Sequence, residues 1–396
     1  MVRAPIPGVT SAALSTSATV AAASYLTAVA GLFGNIQPVV LGAIGDALKL
    51  SNERIGYLAA IFMLVSAGVK LTAPGWITRP NQRFLCVLAV SVGAIAMGAV
   101  GVGGTWTAAW MLLALFGLAE GVFGAVSYAL LGNAANPARA YAVAIGAQMV
   151  LAAASALALT MWIEPKYGYT GTMATLALII VSGVLAALSL PARIAPAHCV
   201  EPPRGGPLGA LLPLAVAVAA LMTFIGAVMA VWTFSGRFAT SVGIGLTTVG
   251  VSLAIASAIT AVSAFVAAAV SGRVSSVLVA TVGALLIVVS IYVMGLGTER
   301  TFGVALGLLS FGWGLAQPFY NGILREVDAT DRLFVAMPAF FSVGIATGSS
   351  LGGVVADRFG FHALMIGSAA FLILSTVLLA LAKWLRSLQR LRAVSA

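Results

Sequence analysis

Charge is scarce in this chain. Only 8% of the 396 residues are Asp, Glu, Lys or Arg, about a third of the share in a soluble globular domain. That excludes an ordinary water-soluble fold, and 61% hydrophobic residues with a mean hydropathy of +1.10 set the chain against lipid. Histidine and cysteine are almost missing, at two each. Two histidines cannot form a metal-spaced cluster, and Cys86 and Cys199 have neither zinc nor redox spacing and suggest no disulfide scaffold. No nucleotide-binding motif is found. An enzyme is therefore not expected, no cofactor or metal is implied, and an ion gradient is the energy source left. Acid is scarcer than base, with 10 acidic against 20 basic residues. The excess of +10 invites a nucleic-acid partner, but the cations stand singly in the breaks between apolar runs, with no stripe or interleaved aromatics. They read better as a topology signal. A filter-like motif or pore ring, which a channel would carry, is missing too.

What is present is a duplication. Lys166-Tyr167-Gly168-Tyr169-Thr170-Gly171-Thr172-Met173 comes back 192 positions later as Arg358-Phe359-Gly360-Phe361-His362-Ala363-Leu364-Met365, with the same order of cation, aromatic, Gly, aromatic and Met. Each copy sits in a short polar break between two apolar runs, fifth and sixth in one half, eleventh and twelfth in the other. A hydrocarbon crossing takes about 20 apolar residues, and its backbone must satisfy its own hydrogen bonds. Twelve helices fit, near 19–43, 55–76, 84–102, 108–131, 141–162, 171–191, 209–233, 246–270, 275–296, 302–323, 334–355 and 363–384. The expected fold class is an all-α membrane protein of twelve transmembrane helices in two parallel six-helix repeats. Its expected division is 1–192, an N-terminal bundle, 193–207, a central cytoplasmic loop, and 208–396, a C-terminal bundle with a short basic tail. The first run, after Arg3, lacks a cleavage context and is read as a retained span. Counted on alternate sides, thirteen cations fall with the N-terminus and six, from Lys49 to Arg358, on the other side. That split places both termini in the cytoplasm of a bacterial-type inner membrane, with the tail from Lys383 to Arg392 as an anchor or a contact for anionic headgroups. Gly344, Gly348 and Gly352 put a bare face on one helix for close packing, and Gly117 and Gly121 repeat the spacing on another.

Two parallel six-helix halves, a short middle loop and termini inside resemble the major facilitator superfamily of secondary transporters. In that family a Gly-x-x-x-Asp-Arg-x-Gly-Arg-Arg signature follows the second helix. Here Gly75-Trp76-Ile77-Thr78-Arg79-Pro80-Asn81-Gln82-Arg83 keeps the Gly and the last cation, with Arg79 where the Asp belongs, and the second-half counterpart has Gly272 there before Arg273. The gate bonds of that acid do not carry over. The fifth-helix Gly and Pro signature of many drug:proton antiporters is missing as well, since 141–162 holds Gly146 and no Pro. Gly168-Tyr169 and Gly360-Phe361 look like the family's usual starts of helices six and twelve. The resemblance implies alternating-access transport of a small molecule.

Few side chains are available for that chemistry. Lys70 and Glu120 are the ionisable groups well inside the runs, and a charge at such depth is a functional candidate. Glu120 is read as the proton-coupling carboxylate or as the fixed partner of a cation such as Lys70, and Lys70 as a snorkelling lysine, a substrate-anion site or a counter-ion. In the second half Trp313, Gln317, Tyr320 and Asn321 gather around Pro318, with Gln317 and Asn321 four apart on one face. Asn35, Gln37 and Pro38 form a shorter version, Gln148 and Thr233 are weaker additions, and Trp232 is assigned to the interfacial belt. Arg79, Arg139, Arg273, Arg325, Asp328, Asp331 and Arg332 are candidates for inter-half gating pairs or for solvated loop charges. With one buried acid and few amides, the expected substrate is amphipathic or anionic and not a sugar. A proton-coupled, monomeric transporter follows, export slightly favoured over organic-anion uptake or exchange, with a non-transporting receptor or scaffold as the reading of another class.

Overall fold

The computed structural model describes residues 17–193, 211–327 and 337–395. Its regular elements are helices: α1 (Ser17–Asn35), α2 (Gln37–Ala47), α3 (Asn52–Trp76), α4 (Gln82–Val100), α5 (Trp106–Gly132), α6 (Pro137–Ala158), a π-helical turn (Leu159–Ile163), α7 (Glu164–Leu188), α8 (Leu211–Ser241), α9 (Leu246–Val270), α10 (Ser276–Met294), α11 (Glu299–Val327) and α12 (Met337–Ser395). The breaks in the apolar pattern carry the residues that start helices. Ser51, Asn81, Thr105 and Asn136 accept backbone N–H bonds from Arg54, Phe84, Ala108 and Arg139 at the beginnings of α3, α4, α5 and α6, satisfying donors that have no partner within the helix.

Ten helices among the described residues are long and apolar enough to cross a membrane, and the expectation of twelve is corrected to that number. The chain is a multi-pass membrane protein. The difference lies at the two copies of the repeat, where a loop between two helices was expected. Arg139–Leu188 and Ala339–Gln389 instead run as unbroken helical stretches of 50 and 51 residues, each made of helices joined across a kink. Gly168 (φ 61°, ψ −158°) and Gly360 (φ 81°, ψ 170°) are non-helical residues within them. Glycine reaches a positive φ without steric penalty, so at each repeat two helices meet directly at the glycine kink, with no loop between them. The expected first span is divided as well. α1 stops at Asn35 and α2 restarts after Ile36 with Pro38 in its first turn, a residue that has no N–H to continue a preceding helix.

Packing follows the small residues. A Cβ at Gly121 would lie 2.7 Å from the Cβ of Val69, and one at Gly117 would meet the Phe62 carbonyl, so α5 lies directly on the α3 backbone. The Arg54 guanidinium sits 5.6 Å above the Trp106 ring, which puts the starts of these two helices side by side. Gly344, Gly348 and Gly352 press against Ile225, Gly226 and Ala230 of α8, as the triple repeat predicts. The first seven helices meet the last five where α3 packs on α12, α6 and the π-helical turn on α9, and α2 on α8. Among the described residues their ties cluster at one end of the molecule, the closed end. There Asp357 accepts from the backbone N–H groups of Asn52 (2.9 Å) and Glu53 (2.7 Å), and Arg237 faces Asp46 at 3.5 Å. Thr160 seats against Gly250, and Gly56 against the Ser349 carbonyl.

Candidate functional site

α3 and α5 start at the closed end and run parallel, so residues four apart stack in layers along their shared face. The first layer is aromatic: Phe62 and Phe116 stack with centroids 5.1 Å apart, and Phe33 of α1 closes on Phe62 at 4.5 Å. One turn further along α5 and two along α3, the face is ionic. Lys70 Nζ lies 2.8 Å from Glu120 Oε1 and 3.0 Å from Oε2, and the Ser66 hydroxyl donates to Oε2. Of the alternatives open from sequence, Lys70 is thus the partner of Glu120. The two ends of the pair differ in access, with the carboxylate side chain 5% exposed and that of the lysine 22%. A side chain at Gly124 would strike both, its Cβ 2.9 Å from Glu120 Oε1 and 3.2 Å from Lys70 Cε. The bare glycine is therefore what lets the pair form. The aromatic layer seals the ion pair from the closed end, while Lys70, about 27 Å along α3 at about 1.5 Å per residue, reaches toward the opposite end.

The other candidates do not all join this pair. α11 starts at the same end, where Thr248 donates to Glu299 at 3.3 Å, and Gln317 lies about 27 Å along it by the same rise, level with Lys70. Gln317 and Asn321 are half-buried on one face, and Asn321 Oδ1 has no hydrogen-bond partner among the described residues. Trp313 and Tyr320 flank Phe224 in a stack, with centroids at 5.6 and 4.3 Å. Tyr320 is buried and its hydroxyl is shared with Ser375 at 2.8 Å, which makes it a packing residue in this conformation. Trp313 stays half-buried against Phe341. Gln148 packs half-buried on Gly31. Gln37 belongs to the junction of α2, α8 and α12: its Oε1 accepts from Thr233 (3.1 Å), and Thr233 shares a bond with Ser349 (2.8 Å). Its Nε2 and the Nδ2 of Asn35 are buried without a partner among the described residues. Trp232 is not a belt residue, because its Nε1 donates to the Gly34 carbonyl at 3.1 Å, inside the contact between the two parts of the chain.

Of the proposed gating residues, Arg79, Arg139 and Arg273 are exposed, and Arg273 turns back onto the Ala269 carbonyl of its own helix. Arg325 is exposed near the end of α11, whereas Asp328, Asp331 and Arg332 lie outside the described residues. Two participants went unnoticed in the sequence. Ser66 stands one turn before Lys70 on α3, a polar pair at i, i+4 in an apolar helix. Asp357 occupies Gly353-x-x-x-Asp357-Arg358-x-Gly360, which holds the acid missing between Gly75 and Arg83.

The family model described as Major Facilitator Superfamily matches residues 23–332. The chain belongs to that superfamily. It is accordingly a secondary transporter of a small molecule and not an enzyme. Among curated proteins none matches this superfamily member. Among solved structures it is similar to the nucleoside transporter NupG, at a TM-score of 0.71 and 13% identity over 93% of this chain and 99% of that one. An aspartate-to-alanine mutant of NupG gives 0.72 and 15% over 92% and 99%. A bacterial homolog of the human lysosomal transporter Spinster, inward-facing and unoccupied, gives 0.66 and 15% over 94% and 98%. At these identities the likeness is one of fold.

Proposed function

We propose that this transporter moves a small organic anion together with a proton, and that the Lys70–Glu120 pair is where the two are exchanged. The observation that carries the reading is the pair itself: a buried carboxylate whose counter-ion is a lysine that is only partly buried. A proton on Glu120 removes the charge that holds Lys70, and an ammonium at this depth needs a replacement anion. A substrate carboxylate supplies it, with the amides of Asn35, Gln148, Gln317 and Asn321 to orient the rest and Trp313 to cover an apolar body. When the proton leaves, Glu120 reclaims Lys70 and expels the anion. Ser66 can donate to the carboxylate or accept from the acid, so it stays engaged throughout. This order favours symport, the alternative to export in the sequence reading.

The two bundles, 1–192 and 208–396, rock about the site as a monomer, in an inner membrane with both ends cytoplasmic. On that orientation the closed end is periplasmic, and Arg79, Arg139, Arg273 and Arg325 with Asp328, Asp331 and Arg332 close the cytoplasmic end in turn. The test is uptake into proteoliposomes under an imposed pH gradient, with a panel of aromatic carboxylates, sugars and nucleosides. Glu120→Gln is expected to abolish accumulation but keep exchange, and Lys70→Ala to lose anion binding selectively. Wild-type pH dependence in Glu120→Gln would refute the coupling. A nucleoside, the cargo named for NupG, is the second reading. It is neutral and rich in hydrogen-bonding groups, suits Asn35 Nδ2 and Asn321 Oδ1, which have no partner among the described residues, and would bind equally well to Lys70→Ala.

A further inference from the structure

We infer that Asp357 is a gating residue that holds the closed end shut by capping α3 from the other part of the chain. Helix α3 already has its own cap, since the Ser51 hydroxyl accepts from the Arg54 N–H at 3.3 Å. The first N–H groups of a helix outnumber what one side chain can satisfy, and Asp357 takes the two that Ser51 leaves. Its Oδ1 accepts from Asn52 N–H at 2.9 Å and its Oδ2 from Glu53 N–H at 2.7 Å. A carboxylate at a helix N-terminus gains from the helix dipole as well as from the bonds.

The surroundings make this cap conditional on closure. Asp357 lies one turn after Gly353, which touches the Asn52 carbonyl, while Gly56 touches the Ser349 carbonyl. With no side chain between the backbones, α3 and α12 are as near as they can come. Asp357 has a short side chain, and a separation of a few ångströms takes both acceptors out of range. The donors are main-chain groups, so no charge change on α3 replaces the acid. At the opposite end Arg79 and Gly272 stand at the two corresponding places, and neither supplies a carboxylate. The latch therefore biases the resting molecule toward closure at the Asp357 end, independently of substrate or proton.

The experiment is a distance distribution between spin labels at Val102 and Leu296, which are exposed on turns of the closed end on either side of the junction, in the substrate-free, full-length protein at one pH. The wild type is expected to show a dominant short distance. D357A should raise the ratio of long to short distances about five- to tenfold, the factor for loss of a helix cap. D357N, which keeps the size and one acceptor oxygen, should give a smaller rise and is read alone if D357A fails to accumulate. Distributions unchanged in both variants would overturn the inference. Because no substrate or gradient is present, the outcome is independent of whether Glu120 carries a proton.

Discussion

Removing Lys70 alone should harm the protein more than removing it together with the charge of Glu120. In Lys70→Ala the carboxylate keeps the Ser66 bond but loses its counter-ion in a site where it is 5% exposed. Breaking a buried ion pair from one side costs about 3–5 kcal/mol. The partial exposure of Lys70 places this case near ~3 kcal/mol, because the pair is not fully enclosed by protein. Glu120→Gln leaves a cation that can turn toward solvent, at about 1–2 kcal/mol. The double variant leaves only neutral groups and a Gln bonded to Ser66, at about 1–2 kcal/mol. The coupling energy of the cycle is then about 3 kcal/mol. At about 2.1 cal/mol/K per residue a chain of 396 residues loses about 1 °C of Tm for each kcal/mol. Lys70→Ala is expected to lower Tm by about 3–4 °C, and the double variant to recover about half of that. Thermal unfolding of the four proteins in one detergent measures this. Additive losses, or a Lys70→Ala protein as stable as wild type, would refute the view that the two charges hold each other.

Gly121→Leu should drive α3 from α5, since its Cβ would lie 2.7 Å from Val69 Cβ and 3.0 Å from the Ser66 carbonyl. Overpacking of this kind costs about 1–3 kcal/mol and separates Lys70 from Glu120, so proton-driven uptake should fall sharply, whereas Gly146→Ala, where the space is open, should leave uptake unchanged. For orientation, a cysteine at Lys166 in intact cells should react with an impermeant thiol reagent and one at Arg139 should be protected; the reverse pattern would invert the topology.

How far the sequence could be read depended on whether a signal was local. Apolar runs, caps such as Ser51 and Thr105, and the Gly344-Gly348-Gly352 face are local, and α3, α5 and the α8–α12 contact follow from them. The kinks at Gly168 and Gly360 were visible as breaks, but whether a polar break opens into a loop or joins two helices across a kink depends on the backbone torsions of one residue, which composition does not encode. The pairing of Lys70 with Glu120 joins residues 50 apart and depends on Gly124 leaving room, a contact unseen until the helices are placed. Gln37 read as a cavity residue because it stands beside Pro38 in an apolar run. Only the approach of Thr233, 196 residues away, reveals that one end of it is spent on holding α2 to α8.

The layered face of α3 and α5 also bears on how the membrane potential acts. An elementary charge moved across the field costs or gains about 2.3 kcal/mol per 100 mV. On the proposed cycle the empty carrier holds Lys70 and Glu120 as a neutral dipole. The loaded carrier holds a protonated Glu120, the Lys70 ammonium and one substrate anion, and is neutral again. Neither crossing moves net charge, so the voltage across the membrane neither drives nor brakes the transporter, and the chemical gradients of proton and anion alone set its direction.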